Sequence, residues 1–433
     1  MNKGFYHLEF GDIDFNEEFE ILKPHSNLIT GETAFIAEYG EITSLERDVL
    51  NLASMIYAVD VAHLRGEREL YTRSFQLSIP VVNIHAFQSA RDELEHSLYL
   101  LTNDNWELQF VPVQGEVESY KKWDSKAGTI ILFSGGLDSL AQAVIIAEKG
   151  ENALLVSHDS GNPVVLKAQK ELYKYLRSIK SSDIKKVSFR VRGQKGKNRN
   201  YPNIHESSQR SRSFLFLSLA SLVARRSGFF HVILMAENGQ LSIHLPITAA
   251  RIGAFSTRTA HPEVLGVLQN IFSNLLHVDL TFENPFLYKT KAEVVRDLCK
   301  NHQNIINEST SCWKASRIKG AASHCGICIP CILRRIALEY WGIKFESEWA
   351  RNLFNENVIN LTPNDEGKRN MTEYSEFSSF FLTERKETEY VINYPELVNK
   401  FFDLHDAINL YKRAAKETEK VFRKYKHLRS LIN

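Results

Sequence analysis

The 433 residues carry almost no net charge: 53 Lys and Arg stand against 52 Asp and Glu, a balance of +1. A chain so balanced has no global field to draw it to nucleic acid or to an anionic membrane. Long apolar runs are missing too. The longest, Phe214 to Ala224, is interrupted by two serines and is too short to cross a bilayer. The opening stretch, MNKGFYHLEFGDIDFNEEFE, has no apolar core of a signal peptide, so a cytoplasmic protein is expected. Cysteine is scarce, with five residues in all, and a disulfide scaffold is not expected in a reducing compartment. There is no internal repeat and no low-complexity tract. With 43% hydrophobic and 24% charged residues, the composition excludes wholesale disorder and a fibrous repeat. The length predicts two or three domains.

What is there divides into three styles. Residues 1–125 read as a mixed α/β unit. Thr43-Ser44-Leu45-Glu46 has the form of a capping box, and Leu45, Val49, Leu52, Ala53, Ile56 and Tyr57 follow at helical spacing. Phe75, Leu77, Ile79 and Val81 alternate as in a strand, which Pro80 confines to an edge or a strand end. Phe87, Ala90, Leu94 and Leu101 mark a second helix, and Trp106, Leu108 and Phe110 another strand. GEVESYKKWDSKAG (115–128) reads as a linker.

From residue 126 to 345, short apolar strands alternate with helices. GTIILF (128–133), ALLVSH (153–158), KKVSFRV (185–191) and FHVILMA (230–236) are the strands, and helical patterns lie at 139–149, 164–180 and 211–226. That alternation predicts βαβ units and a doubly wound, mainly parallel sheet with ligands at the C-terminal strand ends. The last region, 346–433, opens as a polar connection rich in Asn and Glu. Pro395 then stands at a plausible helix start. From Leu397, Phe401, Leu404, Ile408, Tyr411, Ala415, Thr418, Phe422 and Tyr425 step by four and three. One long helix or a helical hairpin is predicted, packed on its own protein or on a dimer or partner face.

Two local patterns carry chemistry. SGGLDS (134–139) sits where a strand meets a helix. Adjacent glycines let the backbone approach an anion, and the helix start offers unpaired N–H groups. No GxxxxGK[ST] is present, so this is not a Walker loop. The pattern resembles that of the PP-loop ATP pyrophosphatases, which cut ATP between its α and β phosphates. Mg²⁺ would neutralise the phosphates, with Asp138 a direct or water-mediated contact. The second pattern is Cys312, Cys325, Cys328 and Cys331, spaced C-x12-C-x2-C-x2-C. Four thiolates form a closed, structural metal site; zinc is expected, although a [4Fe–4S] cluster also takes four thiolates. Cys299, on a helical pattern, reads as an ordinary buried thiol.

Together these segments resemble the 7-cyano-7-deazaguanine synthases, the QueC family. The likeness rests on LFSGGLDSLAQAV, on RSFLFLSLA (212–220), on TKAEVV (290–295) and on STSCW…HCGICIPCILRR (309–335). It spans about 128–345 and implies a PP-loop, adenine nucleotide alpha hydrolase-like fold with a structural four-cysteine zinc segment. The family turns a carboxy-deazaguanine, ammonia and ATP into a nitrile through an adenylate and an amide. By matched motif, Ser134, Gly135, Gly136, Leu137, Asp138 and Ser139, with His158 and Asp159 after the second strand, would hold ATP. Arg212 would face the nucleotide, Lys291 would lie at the reaction centre, and Asp138 would act with them.

The departures carry information too. The family's sequence after the second strand reads here SHDSGNPVV, where Asp159 matches plainly. Its substrate segment is replaced by residues 237–262, in which Asn238, Arg251, Arg258, Thr259 and His261 could read a base or a carboxylate. The flanking regions have no place in an ordinary synthase. With AVDVAHLR (58–65), the strand around Arg73 and LTNDNWELQF (101–110), they resemble the QueC-like proteins of bacterial anti-phage operons. That likeness implies a different nucleophile, the N-terminal amine of a partner protein from the same operon. Three functions are therefore expected in order: a ligase joining a deazaguanine to a protein amine, a nitrile or amide synthase using ammonia, and a non-catalytic sensor of nucleotide or deazaguanine. The basic loop 193–212, with Lys195, Lys197, Arg199, Arg210 and Arg212, reads as phosphate-binding or a mobile lid rather than as a nucleic-acid face.

Overall fold

The structure is a computed structural model that describes residues 3–10, 13–22, 27–65, 72–116, 128–179, 183–194, 201–202, 205–206, 208–228, 232–247, 258–315, 318, 322–345 and 349–432. Lys195, Lys197, Arg199 and Arg251, with most of the expected linker, lie outside the described residues.

The N-terminal part runs β1 (Lys3–Phe10), β2 (Ile13–Leu22), β3 (Leu28–Ile29), α1 (Glu32–Tyr39), α2 (Ser44–Ala62), β4 (Arg73–Val81), α3 (Ile84–Thr102) and β5 (Asn105–Pro112). The capping box forms as read: the Thr43 hydroxyl accepts from Glu46 N–H at 3.3 Å and the Glu46 carboxylate from Thr43 N–H at 3.0 Å. A four-stranded sheet has the order β2-β1-β4-β5, in which β4 runs antiparallel to β1 and parallel to β5. Pro80 lies beyond Ser78, the last β4 residue paired with β1, so it occupies the strand end.

The middle of the chain runs β6 (Thr129–Leu132), α4 (Leu137–Glu148), β7 (Asn152–Asp159), α5 (Pro163–Leu176), β8 (Asp183–Arg190), β9 (Arg192–Gly193), α6 (Arg212–Ser227), β10 (Ile233–Leu234), α7 (Gly239–Ser242), α8 (Pro262–Leu276), β11 (Phe282–Glu283), α9 (Lys291–Asn301), α10 (Gln303–Ile306) and α11 (Ile329–Tyr340). Five strands form a parallel sheet in the order β11-β10-β6-β7-β8. Strand alternation divides the apolar residues between its faces. Ile131, Phe133 and Leu155 pack with α4 and α9, while Ile130, Leu132, Leu154 and Val156 pack with α6 and α8. Both faces are covered, which is why the strands read as unbroken apolar runs. The α6 face shares one continuous core with α2, α3 and β4 of the N-terminal part. After β6 the chain winds outward through β7 and β8, then returns to the other side of β6 for β10 and β11. The crevice between the C-terminal ends of β6 and β10 is thus a topological switch point, where open α/β sheets take their ligands.

The C-terminal part holds α12 (Glu366–Leu382), α13 (Glu387–Asn393) and α14 (Leu404–Phe422). The reading of a polar connection after residue 346 misses α12, whose buried side is Met371, Tyr374, Ser378 and Phe381. The long helix begins at Leu404, later than Leu397. Asp403 caps it by accepting from Asp406 N–H at 2.9 Å, and Pro395 starts a short 3-10 turn. The seam of α14, including Ile408, Tyr411, Ala415, Thr418 and Phe422, is buried against its own chain, chiefly α12, α11 and α7.

Candidate functional site

The turn after β6 is shaped by its glycines. Gly135 stands at φ +88°, a conformation a side chain strains, and a Cβ there would press to 3.2 Å from Gln169 Cγ. Gly136 is the residue before α4, so the first free N–H groups of that helix open beside the turn. The Ser139 hydroxyl donates to Gly136 C=O at 3.1 Å and lies 3.3 Å from Ser134 Oγ, which accepts from Gly136 N–H at 3.3 Å. Leu137 is buried in the core.

Asp138, one residue into α4, is the centre of a buried cluster. Lys291 Nζ, at the first position of α9, donates to its Oδ1 at 2.7 Å. Asn238, just past β10, donates to its Oδ2 from the backbone N–H at 3.2 Å and from Nδ2 at 3.0 Å. Nδ2 also donates to Glu237 Oε1 at 2.9 Å. Burial opposes ionisation of Asp138, but the Lys291 ammonium and then the hydrogen bonds from Glu237, Lys291 and Asn238 hold its carboxyl below the usual range. Burial, and then the Asp138 charge, push Glu237 well above it. The two carboxyls are thus driven apart, Asp138 toward its charged form and Glu237 toward its protonated form. Reading from sequence finds Asp138, Asn238 and Lys291 but not Glu237, which has no motif of its own and only its place at a strand end to mark it.

The cysteine segment closes the turn from above. Thr310 N–H donates to Gly135 C=O at 2.9 Å, and Thr310 C=O lies 3.5 Å from where a Gly136 Cβ would stand. Arg334, fully buried on α11, donates to Ser309 Oγ at 2.8 Å and to Ile306 C=O at 3.0 Å, fixing that approach. The four sulfurs of Cys312, Cys325, Cys328 and Cys331 lie within 4.8 Å of one another. The N–H groups of Lys314 and Cys325 donate to Cys312 Sγ at 3.3 and 3.4 Å, the pattern of a thiolate in a metal site. The donor set fits a closed tetrahedral zinc site with no open position. Cys299 is separate and buried, and burial pushes its thiol up to about 12.

Polar atoms around the turn fit an anionic ligand. The Thr310 and Ser311 hydroxyls and Arg212 Nε, all able to donate to an anion, are buried without a hydrogen-bond partner, while the partnerless Gln169 Oε1 and Asn238 Oδ1 can only accept, from a ligand N–H or O–H. Such groups cost free energy unless a ligand satisfies them. Arg212 starts α6 with its guanidinium 5.3 Å from the centre of the Phe216 ring. Its charge acts on His158, whose ring is wholly enclosed, edge-on to Tyr57 and Phe216, with Nε2 2.8 Å from Val191 C=O. Burial, then Arg212, brings His158 down to about 4. Asp159 accepts from Gly161 N–H at 2.8 Å in the turn that follows β7. Among the described members of the expected substrate group, Asn238 alone bonds to Asp138. His261 caps α8 by accepting from Glu263 N–H at 3.3 Å, and Arg258 and Thr259 lie in the turn before it.

Both ends of the chain grip this site. The buried Asp60 accepts from the N–H and hydroxyl of Ser211, each at 2.8 Å, beside Arg212. Asp60 belongs to a buried network with Arg65, Arg73 and Asp104. At the other end Thr290, which caps α9, donates to Glu417 at 2.8 Å, while Arg413 donates to Glu293 at 2.7 Å and to Tyr288 C=O at 2.6 Å.

A parallel sheet with this Gly turn at its switch point, and a four-cysteine segment closing it, defines an α/β PP-loop protein. Residues 128–342 match the family described as Queuosine biosynthesis protein QueC, and the chain is a QueC-like family member over that segment. It is similar to the 7-cyano-7-deazaguanine synthase of Agrobacterium fabrum (strain C58), 28% identical over 236 residues, which cover 51% of this chain and 91% of the relative. The synthases of Rhizobium meliloti (strain 1021), 25% identical over 232 residues, and Paracoccus denitrificans (strain Pd 1222), 26% over 226, are covered to 91% and 90% by about half of this chain. The family match leaves out residues 1–127 and 343–433.

Proposed function

We propose that the chain uses ATP to activate the carboxylate of a 7-deazaguanine and then forms a C–N bond with an amine of a partner protein. A carboxylate oxygen attacks the α-phosphate and pyrophosphate leaves. The amine nitrogen then attacks the carbonyl carbon, loses a proton, and expels AMP. In this reading Ser134, Gly135, Gly136, Leu137, Asp138 and Ser139 receive the phosphates, with His158 and Asp159 behind them and Arg212 facing the nucleotide. Lys291 and Asp138 act at the reacting phosphate. Asn238, Arg251, Arg258, Thr259 and His261 remain the proposed substrate readers. Mg²⁺ supplies charge neutralisation at the phosphates, and zinc on the four cysteines holds the turn's cover in place.

The observation that carries the reading is the Asp138–Asn238–Lys291 cluster at the switch point, beside the partnerless Thr310 and Ser311 hydroxyls, which suit an anion. A protein acceptor is favoured because the flanking regions 1–125 and 346–433, proposed as accessory to a 126–345 core, are built onto the site. The protein is proposed to work in the cytoplasm, in anti-phage defence, as a monomer or a homodimer. The test mixes purified chain, ATP, Mg²⁺, 7-carboxy-7-deazaguanine and the proteins encoded beside it. Intact mass should rise on one neighbour by one deazaguanine acyl group; no adduct on any neighbour refutes conjugation. The names of the relatives favour a second reading, synthesis of 7-cyano-7-deazaguanine from ammonia. A nitrile formed with ammonia and no protein present would decide for it.

A further inference from the structure

Past Asn238 the chain enters α7 and lines an open pocket of about 550 Å³, its mouth included. Its walls are Gln240, His244, Trp313, Tyr374, Phe377 and Tyr411, with aliphatic groups between them. The pocket is joined to the Asp138 cluster by short, bonded steps. Gln240 Oε1 accepts from Lys291 N–H at 2.9 Å, and its C=O accepts from the Tyr411 hydroxyl at 3.2 Å. Gln240 Nε2 donates to the Tyr374 hydroxyl at 3.4 Å, which leaves its second N–H for a ligand. On the opposite side, Trp313 follows Thr310, already bonded to Gly135, by three residues. Three residues of chain reach at most about 10 Å. The intervening Cys312 belongs to the metal set, so the indole is carried on a stapled segment. Trp313 is 43% exposed, unusual for a side chain of its size held on so fixed a backbone.

We propose that this pocket seats the planar heteroaromatic ring of the carboxylate substrate. The ring stacks on Trp313, the Gln240 amide meets its polar edge, and the carboxylate turns toward the Gly turn. The assignment rests on the proposed activation of a deazaguanine carboxylate. It also explains what the C-terminal helices contribute, since Tyr374, Phe377 and Tyr411 of α12 and α14 complete the ring site from outside the span shared with the synthases. An aromatic wall with a few fixed polar groups is the chemistry that recognises a flat, hydrogen-bonding ring.

The test is calorimetric titration of the zinc-loaded full chain with 7-carboxy-7-deazaguanine, in the presence of α,β-methylene ATP, which resists cleavage between those phosphates. Loss of a base–aromatic stack predicts that Trp313→Leu weakens binding by about tenfold or more, that Trp313→Phe recovers most of it, and that affinity for the ATP analogue is unchanged. Equal ring affinity in wild type and Trp313→Leu overturns the pocket assignment and leaves the activation reading standing. Loss of ATP-analogue binding along with ring binding in Trp313→Leu overturns it too, since the indole would then be structural. A wild-type chain that binds the analogue but no deazaguanine refutes the activation reading, and the pocket assignment falls with it.

Discussion

Asp60→Asn changes one atom in a fully enclosed charge network. Asp60, Asp104 and Arg73 are fully buried and Arg65 nearly so. Two carboxylates balance two guanidinium groups there, and Arg210 stands close enough for its own charge to be felt. Asp60 also takes both donors of Ser211. The amide keeps the shape but removes one negative charge, and its NH₂ turns toward donors. Taking one partner from a buried ion pair costs roughly 3–5 kcal/mol, because the other charge is left uncompensated. We expect a loss of that size in urea unfolding near neutral pH. An exposed pair sets the contrast: Arg91→Ala, which frees only Asp92, should cost less than about 1 kcal/mol. The pH dependence follows from sign. Burial would raise the Asp60 carboxyl, but Arg73 and Arg65 outweigh it and hold it below its ordinary 3.8. Its contribution is therefore present above 3.8 and lost as pH falls through the lower folded value, so variant and wild type should converge in acid. An Asp60→Asn protein within about 0.5 kcal/mol of wild type at pH 7 would refute the reasoning, since surface substitutions alone do that little.

Further outcomes can be checked separately. Lys291→Met should slow AMP release by about a hundredfold or more, measured as pyrophosphate release on the folded fraction, because the ammonium on Asp138 is lost, and should also lower stability by roughly 3–5 kcal/mol, as for any buried pair that loses one partner. Cys328→Ala, or zinc removal by a chelator, should give aggregated protein in size-exclusion chromatography, since metal binding is coupled to folding. Between pH 6.5 and about 4 the native chain keeps His158 neutral while the unfolded chain protonates it. Stability from this group is full above 6.5 and falls as pH drops toward 4, by about 3 kcal/mol in all, and His158→Phe should flatten that limb of a denaturation profile. Gly326→Ala should destabilise by about 3 kcal/mol or more in thermal unfolding. Gly326 sits at φ +77°, and a Cβ would fall 1.9 Å from Arg351 C=O.

Much of this molecule is legible in its local chemistry. Thr43 and Glu46 cap α2 because both partners lie within one turn. The β6 run and SGGLDS are similarly complete in a dozen residues, as is the closely spaced end of the cysteine set. The residues that escape reading from sequence act over distance. Glu237 is pushed upward by burial and then by the Asp138 charge, and both arise only because β10 returns beside β6. Glu417 and Arg413 matter through partners more than 115 residues away. For α12 a signal was present, Met371, Tyr374, Ser378 and Phe381 at helical steps, but the charged residues around it read as a connection. The helix predicted from Leu397 begins instead where Asp403 can cap it, so the apolar steps before Leu404 belong to a turn.

The core shared by α2 and α6 has a consequence for biosynthesis. Leu28 pairs with Gly193, and Glu46 holds Arg226, so the N-terminal part finds its packing surface only after about half the chain has left the ribosome. Until then α2 can pack only on β3 and β4, and the face it turns to α6 stays open during synthesis. The N-terminal part therefore completes its packing only once α6 has followed it from the ribosome.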